Sequence, residues 1–350
     1  MKKNLTLLFI VVLLMTLSAC QTPTSEVMPT VSNEGDLPTD TVEPTDAPIP
    51  TATSIPETII LYDPTDTAAG EIVSAREWLT TWAAEYGFLI DVKSQLSFGD
   101  IPKGTSVVVV FNENGVDVNA LAQERPETNF VVKRESSLGN QPANVVTLVA
   151  DSAYLNFAAG YLSILIAPDW RLGALLPWDD EVSGVETLQA FTNGSAYHCG
   201  RCASTFMPVV LFPVTSSLPS TSAPETWMNE VLTLDNVNYL YTVYVAPEAA
   251  SEQLYQQLVT QNVTVVGAKK PENIEGLLWA ASINQDATAA LIENWDAILN
   301  GTLAENEIIV PVVVTEVNDE YLSPGRLRLY DEMMNALVDG WLSPISPDYP

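Results

Sequence analysis

Two observations predict an α/β chain of two lobes, each a parallel sheet covered on both faces by helices. Short, continuous runs of Val, Ile and Leu alternate with stretches whose apolar residues recur at helical spacing, and that alternation runs through the chain long enough to build two such units. The rhythm starts only at Thr58, so the preceding residues are organised differently.

In order, Ile59 to Tyr62 reads as a strand and Ala69 to Tyr86 as a helix, with Ile72, Ala75, Trp78, Leu79 and Trp82 on one face. Phe88 to Val92 and Val107 to Phe111 are strands, the second an unbroken apolar run suited to burial on both faces. Asn119 to Gln123 is a short helix, Asn129 to Val132 and Asn144 to Val149 are strands, and Ser152 to Ile166 is a helix rich in Ala, Gly and Leu. The pattern then repeats. Strands at Arg171 to Leu176, Val209 to Pro213, Leu240 to Val245, Val263 to Val266 and Leu277 to Ser282 enclose helices at Val182 to Asn193, Ala223 to Leu234 and Ser251 to Thr260. A helix over Ala287 to Leu299, one strand over Ile308 to Val314 and a final helix complete the chain. Ser323 suits the cap of that last helix, Pro324 its first turn and Gly340 its left-handed end.

The first 20 residues, MKKNLTLLFIVVLLMTLSAC, place Lys2 and Lys3 before an apolar run too short for a stable membrane span, which reads as a secretory signal. Leu17-Ser18-Ala19-Cys20 resembles the lipobox of bacterial lipoproteins, which implies lipidation of Cys20 and an extracytoplasmic, membrane-anchored protein; the alternative is an ordinary signal peptide containing a cysteine. Residues 21–57 hold seven Pro and seven acids but no Lys, Arg, Phe, Trp or Tyr. Such a segment buries too little apolar surface to offset chain entropy and reads as a disordered tether spanning roughly 35 Å. The expected division is 1–20 signal, 21–57 linker, 58–166 N-terminal lobe, 167–285 C-terminal lobe and 286–350 a crossover segment completing both.

Composition excludes several functions. With 44 Asp and Glu against 14 Lys and Arg, the formal charge is −30, which repels phosphate backbones and argues against a nucleic-acid partner. The charge either steers a cationic solute or keeps an exported surface soluble, and its even scatter favours solubility. A single His and the absence of any phosphate-cradling glycine motif leave no nameable nucleophile, base and orienter, so neither an enzyme nor a cofactor is expected. With Cys20 assigned to lipid, Cys199 and Cys202 form a C-x-x-C that fits a redox pair, half a zinc site or a loop disulfide. An oxidising compartment and a position after a helix favour the disulfide, and no metal site is expected.

The stretch NVVTLVADSAYLNFAAGYLSILIAPDWRLGALLPW (144–178) resembles the basic membrane lipoprotein family of solute-binding proteins, in the strand closing one lobe, the Ala/Gly-rich helix and the strand opening the next. Residues 279–340 resemble it in the order strand, helix, strand, turn and final helix. The resemblance implies a type I periplasmic-binding-protein fold, two Rossmann-like lobes joined by three crossovers near Ile166 to Arg171, Asn284 to Ala287 and Val314 to Asp319. It also implies lobe closure around a small polar ligand for an ABC permease, nucleosides being the class bound by the better understood members. The chain departs from the family after its first strand, where only Asp63 is kept, and at Gly267-Ala268-Lys269-Lys270, where the family carries acids. A sensory or protein-interaction module of the same fold is the alternative.

Ligands of open α/β sheets bind beyond the carboxyl ends of the strands. The candidates there are Tyr62, Asp63, Phe111, Asn112, Trp178, Asp179, Glu248 and Asn284, offering aromatic faces and hydrogen-bond acceptors suited to a neutral or cationic solute. Each also has a structural role open to it: Asp63 and Asp179 as helix caps, Trp178 as packing, Glu248 opposite a helix dipole.

Overall fold

The computed structural model describes residues 57–64, 70–136 and 138–345. The signal segment and Cys20 lie outside the described residues, as does the linker apart from Glu57. In chain order the first elements are β1 (Thr58–Tyr62), α1 (Glu71–Tyr86), β2 (Leu89–Lys93), β3 (Thr105–Val110), α2 (Val118–Glu124), β4 (Asn129–Arg134) and β5 (Val145–Val149). Then come α3 (Ser152–Ile166), β6 (Leu172–Pro177), α4 (Glu181–Cys199), β7 (Val214–Leu218), α5 (Pro224–Asn238), β8 (Thr242–Val245) and α6 (Glu252–Gln261). The chain continues with β9 (Thr264–Gly267), β10 (Leu278–Gln285), α7 (Ala287–Leu299), β11 (Glu307–Ile309), β12 (Val312–Thr315) and α8 (Pro324–Val338).

These strands form two six-stranded sheets, ordered β11-β5-β4-β3-β1-β2 and β12-β10-β9-β8-β6-β7. Every pairing is parallel except β10 with β12, which run antiparallel from Ser282↔Thr315 to Gln285↔Val312. Period-two alternation explains why the strands read as unbroken apolar runs. Ile59, Leu61, Val107, Val109 and Val131 face α1 and α7, while Ile60, Val108, Val110, Phe130 and Val132 face α2 on the other side. Trp295 of α7 stands edge-on to Trp78 and Trp82 of α1, with ring centroids 5.4 Å away in each case. The second sheet is buried against α3, α4, α5 and α6 in one continuous core.

Helix α3 packs in the core of the second sheet, so the chain first changes lobes at Ala150 and Asp151 rather than near 166–171. The second passage lies at Gln285 and Asp286, between β10 and α7. The third lies at Val310 and Pro311, because Ile308 to Val314 forms two strands, β11 in the first sheet and β12 in the second. Pro311 brings no N–H to a ladder, which suits the break. Gln285 ties the three passages: its Nε2 donates to the Asp151 carbonyl at 3.2 Å and, at a longer 3.5 Å, to that of Val310.

Three other expectations shift. The strand expected at 209–213 is a loop between Pro208 and Pro213, and the ladder is formed instead by the more polar β7, which an edge position tolerates. Helix α4 runs through Gly194 to Cys199, since Gly194 serves helix packing rather than termination. Ser323 occupies the cap position of α8 without a side-chain cap hydrogen bond, while Gly340 is left-handed at φ 75°.

Candidate functional site

Among the described residues, cavities linked by shared walls lie at the carboxyl ends of the strands. The first, about 190 Å³, combines Glu135, just beyond β4, with Ser152 and Asn156 of α3, Ser183 and Thr187 of α4, and Asp179, Tyr244 and Glu248 of the second lobe. It thus draws on both sheets. It adjoins a second cavity of about 370 Å³ through Pro247, and Lys269 connects that one to a third of about 410 Å³. Glu71, Asn284, Gln285 and Thr288 line the third, beside the second lobe crossing.

Local chemistry fixes these walls. Asp151 accepts from Ala153 N at 2.8 Å to cap α3, and Asp286 accepts from Ala289 N at 2.9 Å to cap α7. Glu71 accepts from Ala287 N at 3.1 Å and pairs with Lys133, joining α1, α7 and the end of β4. Arg134 holds Glu113 through two bonds of 2.7 Å, a fork that anchors the loop beyond β3.

The sequence candidates divide into two groups. Asp179 and Glu248 meet in the first cavity, and Asp179 also accepts from Ser220 N at 2.7 Å. Asn284 lines the third cavity; its Nδ2 donates to the Ala268 carbonyl at 3.3 Å, and its buried Oδ1 has no partner among the described residues. The others serve the lobes themselves. Tyr62 is 3% exposed and donates to the Asn114 carbonyl at 2.6 Å. Asp63 is buried, Phe111 packs on the core of the first lobe, and Asn112 accepts from Asn114 N at 2.9 Å within its turn. Trp178 lies over Gly184, where even a methyl group would fall 2.4 Å from its ring.

Glu135, Thr187 and Tyr244 went unmarked by the sequence; Gln285 lies at the end of β10, in a strand-end stretch that the sequence does mark, and Lys269 is noted there only as a departure from the family. Glu135 obeys the strand-end rule and could have been found. Tyr244 lies inside an apolar strand, where a tyrosine reads as core, and only the structure shows the residue at a cavity wall.

Although the residue as a whole is exposed, desolvation in the cavity wall, and then the charge of Asp179, raises the Glu248 carboxyl above its ordinary 4.5. A carboxyl with a raised folded pKa favours folding fully below its unfolded pKa and loses that contribution as pH rises through the folded value. Glu248→Gln is therefore expected to raise the melting temperature at about pH 7 and leave it unchanged near pH 4. Equal melting curves for the two proteins at both pH values would contradict this placement of the carboxyl.

Two mostly parallel sheets of order 2-1-3-4-5, each with a sixth strand added beside its fifth, three chain passages gathered at one edge and cavities at the facing strand ends decide the architecture. The chain has the type I periplasmic-binding-protein fold. Solved structures of this fold align over most of its length. An ABC-transporter solute-binding protein from Conexibacter woesei matches at TM-score 0.58 and 14% identity, covering 85% of this chain and 99% of that one. A transcriptional activator of the comK gene from Bacillus halodurans matches at 0.59 and 12%, covering 83% and 99%. A glucose-galactose binding protein from Geobacillus stearothermophilus matches at 0.52 and 11%, covering 77% and 100%. No family model and no curated protein sequence matches the chain. Among the described residues, no helix is long and apolar enough to cross a membrane.

Proposed function

We propose that this chain is an extracytoplasmic solute-binding protein, anchored through lipid on Cys20, that captures a small polar solute between its lobes and presents it to an ABC permease. The observation that carries this reading is the run of linked cavities at the strand ends, where the first is walled by polar groups of both lobes. A solute bound there touches both sheets only when they approach, so it favours the closed arrangement by the difference in its affinity for the two states. Gln285, bridging the lobe passages, sits where such a motion pivots.

The order of elements over 144–178 and 279–340 supports kinship with the basic membrane lipoprotein family. Nucleosides, however, call for an aromatic face, and Tyr62, Phe111 and Trp178 are engaged elsewhere. The cavities favour a non-planar, hydroxyl-rich solute, the chemistry named for the glucose-galactose binding neighbour. Cys199 and Cys202, with Cα atoms 5.2 Å apart, are read as a disulfide that staples the loop leading to β7.

Thermal-shift screening of the exported chain against sugars, polyols, amines and nucleosides tests the reading. A solute at a hundred times its Kd stabilises by about 2.7 kcal/mol, a readily measured rise in melting temperature. If no small solute moves the transition, the capture reading fails. The alternative of a sensory or protein-interaction module is then favoured, and it has its own supporting observation. Phe206 and Met207 are 71% and 82% exposed on a loop held in place by Arg171.

A further inference from the structure

Resting on the solute-capture reading, we infer that the first cavity seats a primary ammonium group and that the solute is a small hydroxylated aliphatic amine. Three carboxylates, Glu135, Asp179 and Glu248, line this cavity, and among the described residues no Lys, Arg or His does. An acidic rim alone selects nothing. The second observation is Tyr244, whose residue is only 1% exposed although its hydroxyl makes no hydrogen bond to any described residue and the side chain lines the cavity. Thr187, 7% exposed, is in the same position. The residues are buried but their hydroxyl oxygens are not sealed from the cavity, so both are free to accept a donor from its occupant.

A primary ammonium supplies three N–H donors and a compact charge, which suits two hydroxyl oxygens and surrounding carboxylates. A quaternary ammonium has no N–H and is held by aromatic faces; the one aromatic ring here, that of Tyr244, is packed against Phe191 at 5.2 Å between centroids. The acids come from three separate segments, and among the described residues no three Asp, Glu, His or Cys side chains converge closely enough to hold a metal ion. Beyond Pro247 the cleft changes character. Lys269 and Lys270 line the adjoining cavity against one acid, Glu272, and disfavour a second ammonium there, so a monoamine fits better than a diamine. The solute's hydroxyls are left to Ser152 and Asn156.

Calorimetric titration of the detergent-solubilised full chain with D-glucosamine against D-glucose, and with ethanolamine against ethylene glycol, isolates the charge at nearly constant shape. The amine of at least one pair is expected to bind at least about tenfold more tightly than its neutral counterpart. Glu248→Gln should cut the amine's affinity about tenfold while sparing the neutral partner, and Tyr244→Phe, which keeps the ring packed, about threefold. The melting curve of each variant shows that it is folded, so Tyr244→Phe serves if Glu248→Gln is not. Neutral solutes that bind as well as their amines, or folded variants that leave the preference intact, overturn the amine inference and spare solute capture. No heat from any of the four compounds overturns the amine inference; if the broader thermal-shift panel is silent as well, capture falls with it.

Discussion

Gly194→Ala is expected to lower the free energy of unfolding by about 3 kcal/mol, and Gly194→Val to prevent folding. A Cβ at Gly194 would lie 1.9 Å from the Phe157 carbonyl oxygen, and one at Gly160 would lie 2.1 Å from that of Phe191. The two glycines thus face each other's helix at a backbone-to-backbone crossing of α3 and α4, where Ser195 Oγ also donates to the Gly160 carbonyl at 3.2 Å. The obstacles are helix backbone and cannot rotate away, so the helices must part and open the core beneath. Opposing this, alanine gains roughly 1 kcal/mol of helix propensity, too little to reverse the sign. Gly325 is the control: it lies in the first turn of α8, a Cβ there would meet nothing within 4 Å, and Gly325→Ala should be neutral or slightly stabilising. Chemical denaturation of both variants decides the matter. A Gly194→Ala protein as stable as the parent would show that the helices are not in backbone contact.

The second large effect is expected at Arg171, which is 2% exposed beside the first strand of the second lobe. Its guanidinium donates to the carbonyls of Asn238 at 2.5 Å, Phe206 at 2.6 Å and Met207 at 3.3 Å. Arg171→Met removes these donors from one buried and two part-buried carbonyls and should cost about 3 kcal/mol. Asp169, 3.1 Å from Arg171 Nε, still accepts from Thr205 N at 2.6 Å, so the 203–213 loop keeps one tie to the body. Limited proteolysis should therefore cut that loop in the variant before the lobes. Parent-like stability together with a protease-resistant loop would refute the role.

Much of this fold is legible in the sequence because strands buried on both faces leave an unmistakable mark. Val107 to Val110 reads as a central strand for the same reason that it is one. What escapes is structure that does not depend on apolar patterning. Polar β7 is an edge strand, β11 and β12 look like one run until Pro311 sends them to different sheets, and Gly194 signals an ending where it permits a crossing. The site is less legible than the fold. Strand-end position finds Asp179 and Glu248, but position does not reveal direction. Tyr62 turns into its lobe, whereas Tyr244, in an equally apolar strand, reaches a cavity wall.

The central claim is that the lobes close on a solute. Asn114 follows β3 in the first lobe and Ala250 follows β8 in the second, and both are exposed at cleft-facing strand ends. Spin labels on cysteines at these positions report the opening through their dipolar coupling. With a solute from the screen at saturation, the account predicts that the distance distribution shortens and narrows. An unchanged distribution, with the solute shown by calorimetry to be bound, would contradict it.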